Sequence, residues 1–578
     1  MPLSLPYPAA GLSALDAAAF ALDRLGFGPR PGQAARVARD LEGWLDEQFR
    51  PSLPDPDLER RLGEIRAWGL SLPETVRLYK QPSAVLREAI ADGELPAGAV
   101  QRDPAVRRAV HARMDRLGLR SYAALRRELV EAKLTRALAA RHQLRETLAD
   151  LWYNHFNVYG AGVQIVPVPG YDAALRRGAL GRFRDLLGMT ARHPAMLIYL
   201  TNDGSHVPPD GTALWGRPPR RGGVNENYAR ELLELHTLGV DGGYTLRDIQ
   251  EVARAFTGRG TVPFRGSPEG LARQRAAVER IQSRGAPVVQ DAEGFLFRPN
   301  WHDAGAKTVL GRTLPAGRGM QDGEDVLDLL AAHPSTARHI AHTLAVRYVA
   351  DDPDPRLVGR LADVFQRTAG DVLAVMRALV QDPAFWAAAT AGPDGARSKV
   401  KTPFEYVVSA LRATGADVRG TRGLTPMLKA LGEPLYHAEA PTGFPDHAEA
   451  WVNAGLLLGR MDFALRLARG EVRQVRVDPY ALTGGRQPES AEAALAEFAA
   501  ALLPGRDLAS TLDLLAPIVR EPSFAERVGA AARAEPADGG RLDDGGAFAD
   551  DRTPAQQAED TAQFVVGVVL GAPAFQRQ

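Results

Sequence analysis

NENYARELLELHTLGVDGGYTLRDIQEVARAFTG (residues 225–258) reads as two helices joined by a glycine-rich turn. At 100° per residue, Tyr228, Leu232, Leu235 and Gly239 fall on one stripe, the natural core face. Asn227, Arg230, Glu231 and Glu234 form a neighbouring polar stripe through i,i+3 and i,i+4 steps. Asn225 is the expected N-cap. His236 is expected at the edge of the apolar face near the last turn, where a protonated ring would meet the negative end of the helix dipole. Thr245 is positioned to cap the second helix, with Asp248 in its first turn. Spacing alone makes the polar stripe an exposed face with an Arg230–Glu234 pair. Two features argue for polar groups turned inward: apolar residues occupy much of the circumference, and glycine-rich turns bracket the helix at a cost a plain surface helix need not bear.

Outward from this stretch, helical periodicity dominates, over 104–118, 121–158, 171–187, 335–350, 354–382, 402–415, 447–469 and 553–570 among others. One junction recurs: RHPAM at 192, HPSTA at 333, DPAFW at 382, EPSFA at 521 and APAFQ at 572. Proline at a first helical position, behind a residue able to cap, restarts a helix at a new angle. The expected fold is mainly α, a multi-helix assembly with helix–Pro–helix corners and a small β hairpin or ribbon near 294–316. Expected regions are 1–120, 121–320 with the motif-bearing helix and ribbon, 321–470, and 471–578 with a flexible 533–554 loop. The Gly- and Pro-rich loop 201–223 directly precedes the motif and is expected to cover it.

Composition narrows the function classes. The 578 residues are 45% hydrophobic and 24% charged, as in a globular protein. Basic and acidic residues balance at 70 each, so no global field favours nucleic acid. There is no cysteine, which removes thiolate metal sites, iron–sulfur clusters and cysteine nucleophiles. No dinucleotide fingerprint, phosphate loop, HExxH or GxSxG occurs in a fitting context. The first positive charge is Arg24 and Asp16 interrupts the early apolar segment, so the chain as written reads as having no signal peptide, no membrane span and a cytoplasmic location.

Imidazoles recur near the motif. His155 lies in LADLWYNHFNVY among aromatic residues, with Asn154 and Asn157 beside it. It reads as a satisfied core histidine or as a ligand in a dry pocket. His302, Asp303 and Lys307 lie on the expected ribbon, and lysine is scarce in this chain. His339 and His342 are three apart on a helix, a spacing that suits a metal pair but reads chiefly as a partly exposed face. Arg460, amid an apolar helix, is expected to meet a buried carboxylate, and Asp446 to cap the helix after it.

These stretches resemble the DUF1800 family of bacterial proteins of unknown function. LDRLGFGPRPG, LADLWYNHFNVY, the 225–258 motif, HDAGAKTVLG, HPSTARHIAHTLAVRYVADDP and PTGFPDHAEAWVNAGLLLGRMDFA carry the likeness over nearly the whole chain. The resemblance implies a helix-rich fold and no established reaction. It also implies relatives that are often exported, and suggests a protein partner of the neighbouring DUF1501 type, alkaline-phosphatase-like; the oligomeric state stays open. The leading expectation is an enzyme, hydrolytic or oxidative, using a divalent metal or acid/base chemistry. His155, Glu231 and His302 are the expected metal ligands and Glu234 the base, oriented by Arg230. Asp303 and Lys307 complete the catalytic set, and Asn227, His236 and Tyr244 are expected to bind substrate. The alternative is a non-catalytic binding or assembly protein whose polar cluster is a buried structural network.

Overall fold

Proline-led corners organise the chain. Each of Pro194–Tyr199, Pro334–Tyr348 and Pro383–Ala387 starts on proline behind a side chain that accepts a backbone N–H: His193 from Ala195, His333 from Ser335, Asp382 from Ala384. Proline's missing N–H costs nothing there, because the first helical N–H groups have no intrahelical partner. A computed structural model describes residues 4–207, 223–262, 268–283, 287–392, 397, 399–521, 523–524, 527–528 and 554–578. Residues 533–553 of the expected 533–554 loop, most of the 201–223 loop and part of the EPSFA corner lie outside them; Pro554 already begins a helix.

The architecture is mainly helical with small antiparallel sheets of two and three strands. One hydrophobic cluster draws on the whole length of the chain, including Phe20, Trp152, Leu232, Leu344, Phe463 and Phe575. Late in the chain Ala454–Ala468 and Ala491–Leu502 both pack on Pro554–Gly571. Several expected long helices are two: 121–158 divides into Tyr122–Ala139 and Gln143–His155, and 354–382 into Pro355–Arg367 and Val372–Gln381. At the second break Gly370 takes φ +76°, a left-handed turn that ends a helix readily.

Three local readings are corrected. A small hairpin does form near 294–316 as expected, but the stretch is shared between two separate sheets. Phe295–Phe297 pairs with Arg259–Thr261 and Val289–Gln290, whereas Lys307–Val309 pairs with Arg312–Leu314. His302 and Asp303 therefore lie in the connection between them, not on a strand. Asp446 caps no helix: His447 and Asn453 hold those positions, and Asp446 meets Lys399 at 3.0 Å. Arg460 is fully buried but finds a carbonyl, Lys401 O at 2.8 Å, and the ring of Tyr406, rather than a carboxylate.

Candidate functional site

The motif helix begins one residue later than expected: Glu226 holds the N-cap position without a side-chain bond, and Asn225, just before it, accepts the Asn227 N–H at Oδ1 at 2.9 Å. It runs as α-helix over Asn227–Glu231 and then widens to a π-helical turn, Leu232–Thr237. The Leu238 N–H reaches back five residues to Leu233 O at 2.9 Å, and Thr237 Oγ1 donates to Leu232 O at 2.7 Å. Such a turn displaces every later side chain from its α-helical position. That is why His236 is not at a dipole-facing edge but buried at 2% exposure, with Nε2 lacking a hydrogen-bond partner. Burial, and then His339 beside it, lowers its pKa to about 3, so the ring is neutral rather than the expected cation.

Two imidazoles from other helices close on this turn. His339 Nε2 donates to Leu235 O at 2.9 Å and His155 Nε2 donates to His236 O at 3.1 Å. A carbonyl only accepts, so the network assigns both rings the Nε2–H tautomer. The His155 ring lies 6.0 Å from that of His236 and 5.9 Å from that of His339. Phe156 and Trp152 pack edge-on against it. Burial first, then His339 and His236, hold the His155 pKa well below the ordinary imidazole value.

The asparagines flanking His155 fasten a second segment. Asn154 donates Nδ2–H to Phe444 O and accepts the Phe444 N–H at Oδ1, both at 2.7 Å. Asn157 Nδ2 donates to Ala438 O at 3.0 Å and Ala440 O at 2.8 Å. Gly443 has φ +70°, and a Cβ there would come within 2.4 Å of Asn154 Oδ1, so only glycine permits this approach. Behind the clamp lies a cavity of about 40 Å³, bordered by Lys133, Asp150, Asn154, Arg347 and Glu433. Neither Glu231 nor His302 lines it.

His302, Asp303 and Lys307 enter a different network. Both ring nitrogens of His302 face acceptors, Nδ1 on Thr257 O at 3.0 Å and Nε2 on Asp322 Oδ2 at 3.2 Å. Lys307 is buried, its Nζ on Asp322 Oδ2 at 2.7 Å and Gly305 O at 2.8 Å. Burial alone would raise the Asp322 pKa; the hydrogen bonds from His302 and Lys307 overcome it and lower it. Asp303 is gripped by Arg254 through Nε at 2.8 Å and Nη2 at 3.0 Å. Asp248 and Glu251 accept the N–H groups of Leu310 and Thr308, tying the Leu246–Ala255 helix to the hairpin. Asp322 and Thr257 carry no sequence signal of this role.

The acidic stripe is at the rim. Glu231 and Glu234 are half-buried, Asn227 and Arg230 exposed. Arg230 pairs with Glu226 at 3.6 Å rather than with Glu234. Tyr244 Oη donates to Glu234 Oε2 at 3.4 Å. Burial, then the neighbouring Glu234, raises the Glu231 pKa. The structure thus brings together His155, His236 and His339, and separately His302, Lys307 and Asp322. Among the described residues no group of three or more His, Asp or Glu could hold a metal ion. The expected His155–Glu231–His302 ligand set is not assembled: both ring nitrogens of His302 are engaged by Thr257 and Asp322, and His155 sits instead beside His236 and His339.

A family model described as "Protein of unknown function (DUF1800)" matches residues 20–577, and the chain belongs to that family. No curated protein and no solved structure matches. No helix among the described residues is long and apolar enough to cross a membrane.

Proposed function

We propose that this DUF1800 chain is a non-catalytic binding or assembly protein, and that its 225–258 motif is a structural network rather than a reaction centre. One observation carries the reading: the Nε2–H groups of His155 and His339 go to carbonyls of the π-helical turn. A buried carbonyl left unpaired costs about 1–3 kcal/mol, so these rings have a sufficient structural task. Asn154, Asn157 and the His302–Lys307–Asp322 set extend the lattice to neighbouring loops. The network holds Glu231, Glu234 and Tyr244 on a rigid rim open to a partner. A protein of the DUF1501 type is the partner that the resemblance suggests.

A second reading, acid/base catalysis by Glu231 and Glu234 with Arg230, has its own support in the raised pKa of Glu231. Metal analysis after chelator-free purification, with His155→Ala, His339→Ala and Glu231→Gln, separates the two. The structural reading expects no stoichiometric metal, lower melting temperatures for both histidine variants, and wild-type melting for Glu231→Gln. An ion retained by wild type and lost by a folded His155→Ala protein overturns it. So does a hydrolytic turnover abolished in folded Glu231→Gln.

A further inference from the structure

A cleft of about 620 Å³ lies away from the motif in sequence, between the end of the Pro56–Gly63 helix, the Tyr122–Ala139 helix and the segment after Pro403–Ala413. Its size is that of a small-ligand site. Neither His155, His302 nor any residue of 225–258 lines it. Its charged lining is Arg30, Arg61, Arg66, Arg120, Arg412 and Arg419 against Glu64, Glu128, Glu131 and Asp417.

Most of those acids are already engaged. Glu128 pairs with Arg120 at 2.8 Å, Asp417 with Arg419 at 2.7 Å, and Glu64 with Arg60, outside the lining, at 3.5 Å. Glu131 is half-buried, burial and then Glu128 raise its pKa, and it stands as one unpaired acid against the remaining arginines of the lining. Arg30, Arg61, Arg66 and Arg412 thus have no ion pair within 4.0 Å among the described residues.

Their placement is costly without an anion. Arg412 is buried, and its guanidinium meets only neutral acceptors, Gly28 O at 2.8 Å, Leu138 O at 2.7 Å and Gln33 Oε1 at 3.4 Å. Arg30 Nη2 donates to the same Leu138 O at 2.6 Å, so two like charges converge on one carbonyl. Burial, then Arg30, lowers the Arg412 pKa to about 9; burial, then Arg61, lowers that of Arg30. Capping the C-terminal end of Tyr122–Ala139 accounts for Arg30 and Arg412, because cations are favoured there. It does not account for Arg61 and Arg66, which come from another segment and extend the positive row along the cleft.

We propose that this cleft binds a small anion carrying two or more phosphoryl or carboxyl groups, gripped by Arg30, Arg61 and Arg66 over the buried charge of Arg412. The guanidinium fork matches either group with paired hydrogen bonds. Ile65, Leu134, Leu411 and Val418 line the same cleft and offer an apolar wall to the ligand's organic body.

Calorimetry on the full chain, with pyrophosphate and citrate as probes at constant ionic strength, tests this. Arg61 and Arg66 are exposed, so Arg61→Gln and Arg66→Gln are expected to fold as wild type; Arg107→Gln, exposed on the Pro104–Arg116 helix and outside the lining, is the control. Saturable binding of at least one probe is expected, weakened about fivefold or more by each cleft variant and unchanged in the control. Pyrophosphate alone identifies a phosphoryl ligand and citrate alone a polycarboxylate; either supports the proposal. No binding of either probe beyond that of sodium chloride overturns it, as does binding that Arg61→Gln and Arg66→Gln leave intact.

Discussion

Glu433 is an acid that the fold keeps protonated. It is 7% exposed, and burial, then Asp150, pushes its pKa to about 8, even though Oε2 accepts the Phe404 N–H at 2.8 Å. The sign follows from where the proton sits. Between the ordinary carboxyl value and about 8, the folded chain keeps a proton that the unfolded chain releases. The associated stability is full at low pH and is lost as pH rises through that window. Glu433→Gln is neutral at every pH and its amide oxygen can still accept from Phe404. It is expected to melt as wild type near pH 5 and to exceed it by more than about 1 kcal/mol at pH 8, as thermal unfolding across that range would show; equal curves at pH 8 would refute the raised value. The residues with chemical promise were legible in the sequence, because a His among aromatics and a rare Lys stand out. Their partners were not. Asp322 is 15 positions beyond Lys307, and only the folded chain selects it from the many acids available. Arg460 illustrates the same gap: its burial was readable, its carbonyl and aromatic partners were not.

At the scale of the element, corners and helix starts were the most legible features, since proline, capping side chains and glycine act over three or four residues. The π-helical turn was not, because Leu232–Thr237 is too short for its wider period to show against an α pattern. Its consequence is testable through the groups that complete it. Gly239 has φ +84°, and a Cβ there would lie 3.2 Å from His339 Nδ1. Gly239→Ala therefore combines backbone strain with pressure on the ring that holds Leu235 O, and should lower stability by about 1–3 kcal/mol in denaturant unfolding. Asn154→Ala should act differently, releasing both bonds to Phe444. Amide exchange across 438–446 is expected to speed up well before global stability falls. Unchanged protection there would show that Asn154 is not the clamp.

At the scale of the whole molecule, five imidazoles held in the interior by packing, His142, His155, His193, His236 and His339, have lowered pKa values, and this shapes the acid response. His142, His193 and His236 have pKa values of about 4, 3 and 3, each lowered chiefly by burial, and His155 and His339 are lowered by the same cause. An unfolded chain protonates these rings below about pH 6.5 while the folded chain does not. Unfolding therefore takes up protons, and stability is lost as pH falls from 6.5 toward 4. Glu433 opposes this, since its folded form holds a proton that the unfolded chain regains only on acidification, but it is outnumbered by the rings. Paired carboxylates such as Glu324, lowered to about 2 despite burial because Arg259 and Arg192 surround it, add to the loss only once unfolded carboxyls begin to protonate. From pH 6.5 to 5 the balance thus lies between the rings and Glu433, before the paired carboxylates contribute. Thermal or urea unfolding should show a decline there, and His236→Met, which removes a ring whose Nε2 has no partner, should lessen its slope by up to about 1.4 kcal/mol per pH unit. A stability curve flat over that interval would mean that the rings around the π-helical turn accept protons within the fold, and the structural network would have to be redrawn with charged members.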